Sequence, residues 1–185
     1  YVADGANQVV RRVGLDGRVS TLRGLDDEPL SFYAPFFVYS DVVGNVWVGD
    51  ARPSWDQIEV VHVVDAGGHR TLVNWDHCMT PLITDGEGNC YFRQSGPEIR
   101  VGSMSGLSRA WSQGFSCLRD CRYASAAGVV YVADADERTL TALASDGTVK
   151  WVAGRSGESG RIDGPASAAR FERPTHLAVD VDGNV

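Results

Sequence analysis

Lysine is almost missing from this sequence: Lys150 stands alone beside sixteen arginines among the seventeen Lys and Arg. The formal charge is −7, and the clustered basic residues that neutralise phosphates are lacking, which argues against a nucleic-acid partner. No run approaches the ~18 consecutive apolar residues of a membrane span, so no membrane insertion is expected. Cysteine is scarce as well. Cys78, Cys90, Cys117 and Cys121 are too few to staple a scaffold of this size. There is no signal-peptide pattern and residue 1 is Tyr, so the chain reads as a processed product or an excerpt, and its compartment is not legible from the N-terminus. No G-x-S-x-G elbow or nucleophile–base pair is visible, and no motif implies a cofactor.

What is present repeats. The composition, 43% hydrophobic and 22% charged, is that of a soluble globular chain. Within it an aromatic-centred β run recurs around Tyr1, Trp47, Tyr91 and Tyr131, at spacings of 46, 44 and 40 residues. A Gly turn follows each aromatic, at Gly17, Gly68, Gly106 and Gly147, with offsets of 16, 21, 15 and 16 residues. The long offset marks an inserted loop around Ala51–Asp56. Each period holds four short β runs separated by turn residues and nothing with helical periodicity. A period of ~40–45 residues with four strands is the signature of a β-propeller. The fold expected is therefore all-β, with repeats at about 1–24 (completed by 174–185), 35–74, 80–113 and 120–155. Strand runs such as Val129–Ala133 do not alternate with polar residues, as strands buried on both faces would not.

The segment RIDGPASAARFERPTHLAVDVDGNV, read on into YVADGANQVVRRV, resembles the NHL repeat of β-propeller proteins. Asp163, Gly164, Ala166, Ala169, Phe171, Pro174, Leu177, Asp180, Gly183, Asn184, Asp4, Asn7 and Arg11 match the family phrase. The second and third repeats depart from it: Gln94 replaces the Asp ending the second strand, and Val43 stands where a turn Asp is expected. Such propellers commonly have about six blades, so the resemblance implies four blades of a larger ring. The alternative is a closed four-blade ring, with Leu177–Asp180 as the inner strand of the blade begun by Tyr1–Leu22.

Strand parity divides the motif residues between two ends. In an antiparallel meander a-b-c-d, the a–b and c–d turns share one end of the sheet, and the b–c and d–a connections share the other. The first end receives the Gly turns, with Asp-Gly and Gly-Asn pairs read as two-residue hairpins. The second receives the longer segments, among them Asp26–Glu28, Asp136–Glu137 and Arg155–Asp163. Loops on a rigid scaffold are where binding residues concentrate.

The candidate ligand-binding residues at that end are Trp55, Trp75, Asp76, His77, Asp120, Arg161 and His176. The expected activity is non-enzymatic binding of a protein, peptide or glycan. A metal-dependent lyase or hydrolase at the channel mouth is the alternative, which the resemblance to peptidyl-hydroxyglycine lyases allows, and RNA binding ranks last. His77 and His176 are the weak metal candidates, because no cysteine pair has C-x₂-C spacing and a repeated set of inward His ligands is lacking. Asp4, Asp50 and Asp134, each ending a b strand, are expected to cap the turn that follows.

Overall fold

The computed structural model describes residues 1–41, 43–51, 59–73, 80–85, 88–93, 98–103 and 108–185. Its strands form four antiparallel meanders, each in sequence order. The first sheet holds β1 (Val2–Asp4), β2 (Val9–Val13) and β3 (Val19–Thr21). The second holds β4 (Pro35–Ser40), β5 (Val46–Ala51), β6 (Glu59–Val64) and β7 (Arg70–Val73). The third holds β8 (Thr80–Thr84), β9 (Asn89–Arg93), β10 (Glu98–Ser103) and β11 (Ser108–Gln113). The fourth holds β12 (Leu118–Ala124), β13 (Val129–Asp134), β14 (Thr139–Ala144) and β15 (Val149–Gly154). A single 3-10 turn, Gly5–Asn7, is the only helical element among the described residues.

The first sheet has three strands, not four. Leu177–Asp180, the expected inner strand, forms no ladder and packs instead on the fourth sheet. Leu177 N–H donates to Asp120 Oδ2 at 2.9 Å, and Tyr131 Oη–H donates to the Gly183 carbonyl at 3.0 Å. Leu177 and Val179 join Ala124, Val129, Tyr131 and Ala142 in one apolar cluster.

The chain divides into two compact units, Tyr1–Ser95 with Gly102–Ser108, and Gly96–Val101 with Arg109–Val185. In the first, β5 is buried on both faces. Val46 and Val48 meet Val10, Phe32 and Val64, while Trp47 meets Val61, Val63, Val73, Cys90 and Phe92. That explains an apolar run without alternation. The β3–β4 connection is a narrow hairpin: Leu30 N–H donates to Leu22 O at 2.9 Å and Gly24 N–H to Glu28 O at 3.0 Å. Its tip abuts Gly68, where a Cβ would lie 2.7 Å from the Gly24 carbonyl carbon. The turn carrying Asp26–Glu28 therefore lies beside the β6–β7 turn, at the end expected to hold tight turns alone.

The turns at Gly44, Gly68 and Gly88 are three-residue loops rather than two-residue ones. Asp41 N–H donates to Asn45 O, Asp65 N–H to His69 O and Asp85 N–H to Asn89 O, each at 3.0 Å. The loop glycines Gly44, Gly68 and Gly88 have φ of 92°, 86° and 82°. A type I turn closed by one left-handed glycine needs a single positive φ, where the two-residue type I′ turn needs two. The Asp opening the turn fixes it. Asp41 Oδ1 accepts from Val43 N–H and Asn45 N–H at 3.1 and 2.8 Å, so Val43 displaces no cap. The other Asp41 oxygen takes Trp47 Nε1–H at 2.9 Å, as Asp85 takes Tyr91 Oη–H at 2.9 Å.

Gly147 shows what this turn tolerates. Its φ is +88°, and a Cβ would lie 2.0 Å from the Trp111 carbonyl oxygen. Gly147→Ala is expected to cost at least about 2 kcal/mol, against about 1 kcal/mol for Gly17→Ala, where φ is +78° but nothing lies within 4 Å. Chemical denaturation of the two variants checks the difference, and equal losses would refute the steric account.

The turn carboxylates also set an acid limit. Asp65, Asp146 and Asp180 lie below the ordinary carboxylate range, chiefly through bonds from the His69 amide, the Thr148 hydroxyl and the Asn184 side chain respectively. Since folding lowers these values, the stabilisation is complete above the unfolded pKa of about 3.9 and is lost as pH falls through the folded ones. The urea midpoint should fall as pH drops through about 4 and below. A midpoint flat across that window would contradict the assignment.

Candidate functional site

At the loop end, two described b–c connections have the same build. Gly5–Gln8 and Ala135–Arg138 each span four residues, because Asp4 pairs with Val9 and Asp134 with Thr139. The last residue of each is left-handed, Gln8 at φ 61° and Arg138 at φ 58°.

The turn after Asp50 lies outside the described residues, and Asp134 does more than cap its own turn. Asp134 accepts from Asp136 N–H and Glu137 N–H, both at 3.2 Å, as expected. It also takes Ser116 N–H at 2.6 Å and Cys117 N–H at 3.0 Å, tying the entry of β12 to the exit of β13. Asp50 does the same for the entry of β4, accepting Tyr33 N–H at 2.9 Å and Ala34 N–H at 2.7 Å. Asp4 differs, pairing with the Asn7 amide at 2.9 Å and Arg11 Nε at 3.2 Å.

Behind Asp50 lies a buried chain. His62 Nε2 is 3.2 Å from Asp50 Oδ2, and Arg70 Nε donates to His62 Nδ1 at 2.9 Å. With Nδ1 accepting, a neutral ring carries its proton on Nε2, which stands 3.2 Å from both Asp50 Oδ2 and Arg70 Nη2. The Arg70 guanidinium lies 4.8 Å from the centre of the Phe32 ring and also donates to Ser31 O at 3.2 Å. These groups brace the β3–β4 connection.

In the fourth sheet the loop end carries exposed charge. Glu137 accepts from the hydroxyls of Ser116 and Ser156, and those bonds hold its carboxyl below the ordinary range. Beside it opens a cleft of about 320 Å³ lined by Ala135, Asp136, Arg138, Glu172 and Arg173. Arg173 Nη2 lies 3.9 Å from Asp136 Oδ1. Among the described residues, the side chains of Arg138 and Glu172 make no hydrogen bond or close ion pair.

Of the candidate residues, Trp55, Trp75, Asp76 and His77 lie outside the described residues, as does Cys78. Asp120 is buried on β12, with one oxygen on Arg122 Nη1 and the other on Leu177 N–H. It acts as a tether, and it brings the neighbouring His176 alongside β12. The His176 ring is exposed, Nδ1 lying 3.1 Å from Thr175 Oγ1. Arg161 is exposed in the connection after β15. Cys90, Cys117 and Cys121 are free thiols, Cys90 held far above its ordinary pKa by burial. Among the described residues no three His, Cys, Asp or Glu side chains converge on one point.

Sequence reading does not single out Arg138, Glu172 or Arg173. The signal available was positional. Arg138 follows Asp134 by four residues, as Gln8 follows Asp4, so a long cation stands at a turn position whose backbone fixes its direction.

No protein-family model and no curated protein matches the chain. Solved structures do. A Bacteroides thetaiotaomicron protein of unknown function matches 95% of this chain and 46% of its own, at TM-score 0.60 and 17% identity. The virginiamycin B lyase of Staphylococcus aureus matches 77% of this chain and 47% of its own, at TM-score 0.55 and 12% identity. A chain of the nidogen/laminin complex matches 78% of this chain and 56% of its own, at TM-score 0.57 and 16% identity. The fold is a β-propeller. At these identities the likeness carries the fold alone, and the chain spans about half the length of the propellers it matches.

Proposed function

We propose that this protein is a binding propeller of the NHL type, which docks a protein or peptide partner at its loop end. The observation that carries this reading is a difference between the two ends of the sheets. At the turn end the carboxylates of Asp41, Asp85 and Asp180 are consumed by their own turns. At the loop end of the fourth sheet, Arg138 and Glu172 line an open cleft and make no hydrogen bond or close ion pair within the fold. Charge that costs desolvation and builds nothing is what a recognition surface retains. The propeller of the nidogen/laminin complex is a precedent for a protein partner. We further read the four sheets as blades of a larger ring. The lengths of the matched propellers support this, as does the Asp180–Asn184 turn, which repeats the Asp41 and Asp85 turns in a segment belonging to none of the four sheets.

A peptide and glycan array screened with the intact chain tests the proposal, followed by variants at each end. Trp55→Ala, Trp75→Ala and Arg173→Gln are expected to weaken the selected ligand about tenfold or more in combination. Asp16→Asn and Arg18→Gln, at the turn end, should leave it unchanged. The reverse pattern would overturn the assignment of the binding end, and a selected glycan would replace the peptide class.

A further inference from the structure

We propose that the cleft beside the β13–β14 turn is a binding site for a zwitterion, the α-ammonium and α-carboxylate of a free amino acid or short peptide. The carboxylate is assigned to Arg138 and the ammonium to Glu172. This inference rests on reading the loop end as the binding end.

The walls of the cleft are fixed by the backbone. Ala135 N–H donates to Cys117 O at 3.1 Å, and Asp134 holds the amides of Asp136 and Glu137. The Arg138 carbonyl is pressed against Gly154, where a Cβ would lie 2.4 Å from its oxygen and 3.0 Å from Phe171 Cδ2. The Phe171 carbonyl in turn accepts from Gly160 N–H at 3.3 Å, which anchors the irregular segment carrying Glu172 and Arg173. Two charged side chains are thus presented from rigid supports.

The lining also selects a charge pattern. Two cations, Arg138 and Arg173, face two anions, Asp136 and Glu172. A simple anion would meet two carboxylates and a simple cation two guanidiniums, so neither gains overall. A zwitterion satisfies both signs at once. Elsewhere on the same connection the charges are already paired: Glu158 holds Arg155 at 3.0 Å and Arg170 at 2.9 Å. Glu172 has no such partner and Arg138 only the Coulombic attraction of Glu137, and a guanidinium fork matches a carboxylate bidentately. The volume, about 320 Å³, suits an amino acid or dipeptide and sits at the lower end of small-ligand sites.

Titration of the isotope-labelled chain with glycylglycine, followed by amide NMR, tests this. Shifts should centre on Ala135–Arg138 and Glu172–Arg173 and saturate in the millimolar range. N-acetyl-glycylglycine and glycylglycine amide should each bind about tenfold more weakly or worse, a difference of about 1.4 kcal/mol. Arg138→Gln and Glu172→Gln should each produce the same loss with the remaining spectrum unchanged. Equal binding of the blocked peptides, or no shift at these amides, would overturn the proposal. Shifts at other loop-end amides without these would remove the cleft and leave the loop-end reading standing, whereas shifts confined to the turn end would remove both.

Discussion

Trp47→Ala is expected to destabilise the first unit by about 3–5 kcal/mol, the range for deleting a buried aromatic from a packed core. Trp47 is fully buried, and on its face of β5 it touches Val61, Val63, Val73, Cys90 and Phe92. Those neighbours belong to two sheets that the indole holds apart, so the void cannot close by a local side-chain shift. A polar loss adds to the apolar one. Trp47 Nε1–H donates to Asp41 Oδ2 at 2.9 Å, and that carboxylate also shapes the β4–β5 turn. Trp47→Phe separates the two contributions. It keeps most of the volume and removes the donor, and a loss of about 1–2 kcal/mol is expected. Urea unfolding of both variants measures this. A Trp47→Ala midpoint close to wild type would mean that the second sheet is not braced from both sides.

Asp50→Ala should cost about as much, roughly 3–5 kcal/mol, for an electrostatic reason. The carboxylate is 4% exposed and receives Tyr33 N–H, Ala34 N–H and His62 Nε2. Removing it strands two part-buried amides and takes the carboxylate contact from the buried imidazole, and each lost bond carries its own desolvation cost. Asp50→Asn keeps one acceptor oxygen and should lose about half as much. In a double-mutant cycle, His62→Ala is expected to cost less in the Asp50→Ala background than in wild type, because the contact with Asp50 is already gone. Strict additivity would show that the Asp50–His62 contact contributes nothing. Asp134→Ala offers a parallel without a histidine, since that carboxylate holds amides alone.

Much of the architecture was legible in the chain. The aromatic at the centre of each β run and the Gly some sixteen residues later set the sheet count, because a four-strand meander needs turn chemistry at regular intervals. The position of the turns was legible too, but their type was not. Whether Asp-x-x-Gly-Asn closes with two loop residues or three depends on the pairing of Asp41 with Asn45, a ladder register rather than a local preference. In the sequence, residue type and the end of the sheet are the only marks of a candidate site residue. That logic placed Asp120 at a site, while its carboxylate is committed to the amide of Leu177, distant in sequence. A carboxylate in a loop looks the same in sequence whether it holds a distant amide or faces solvent.

The division follows from the range of the forces involved. Turn glycines and apolar strand runs act over a few residues, so the sequence alone determined an all-β chain of four meanders with two unlike ends. Covering a strand face needs only an apolar partner, and nothing local says which one. Tertiary structure therefore decided that Leu177 and Val179 lie on the fourth sheet and that the hairpin at 22–30 reaches the β6–β7 turn. It also decided which charges are spent on the fold and which are left over. Asp50 and Asp134 are consumed inside, while Arg138 and Glu172 line a cleft without a hydrogen bond or close ion pair, because burial and partner geometry are set only once the sheets have packed.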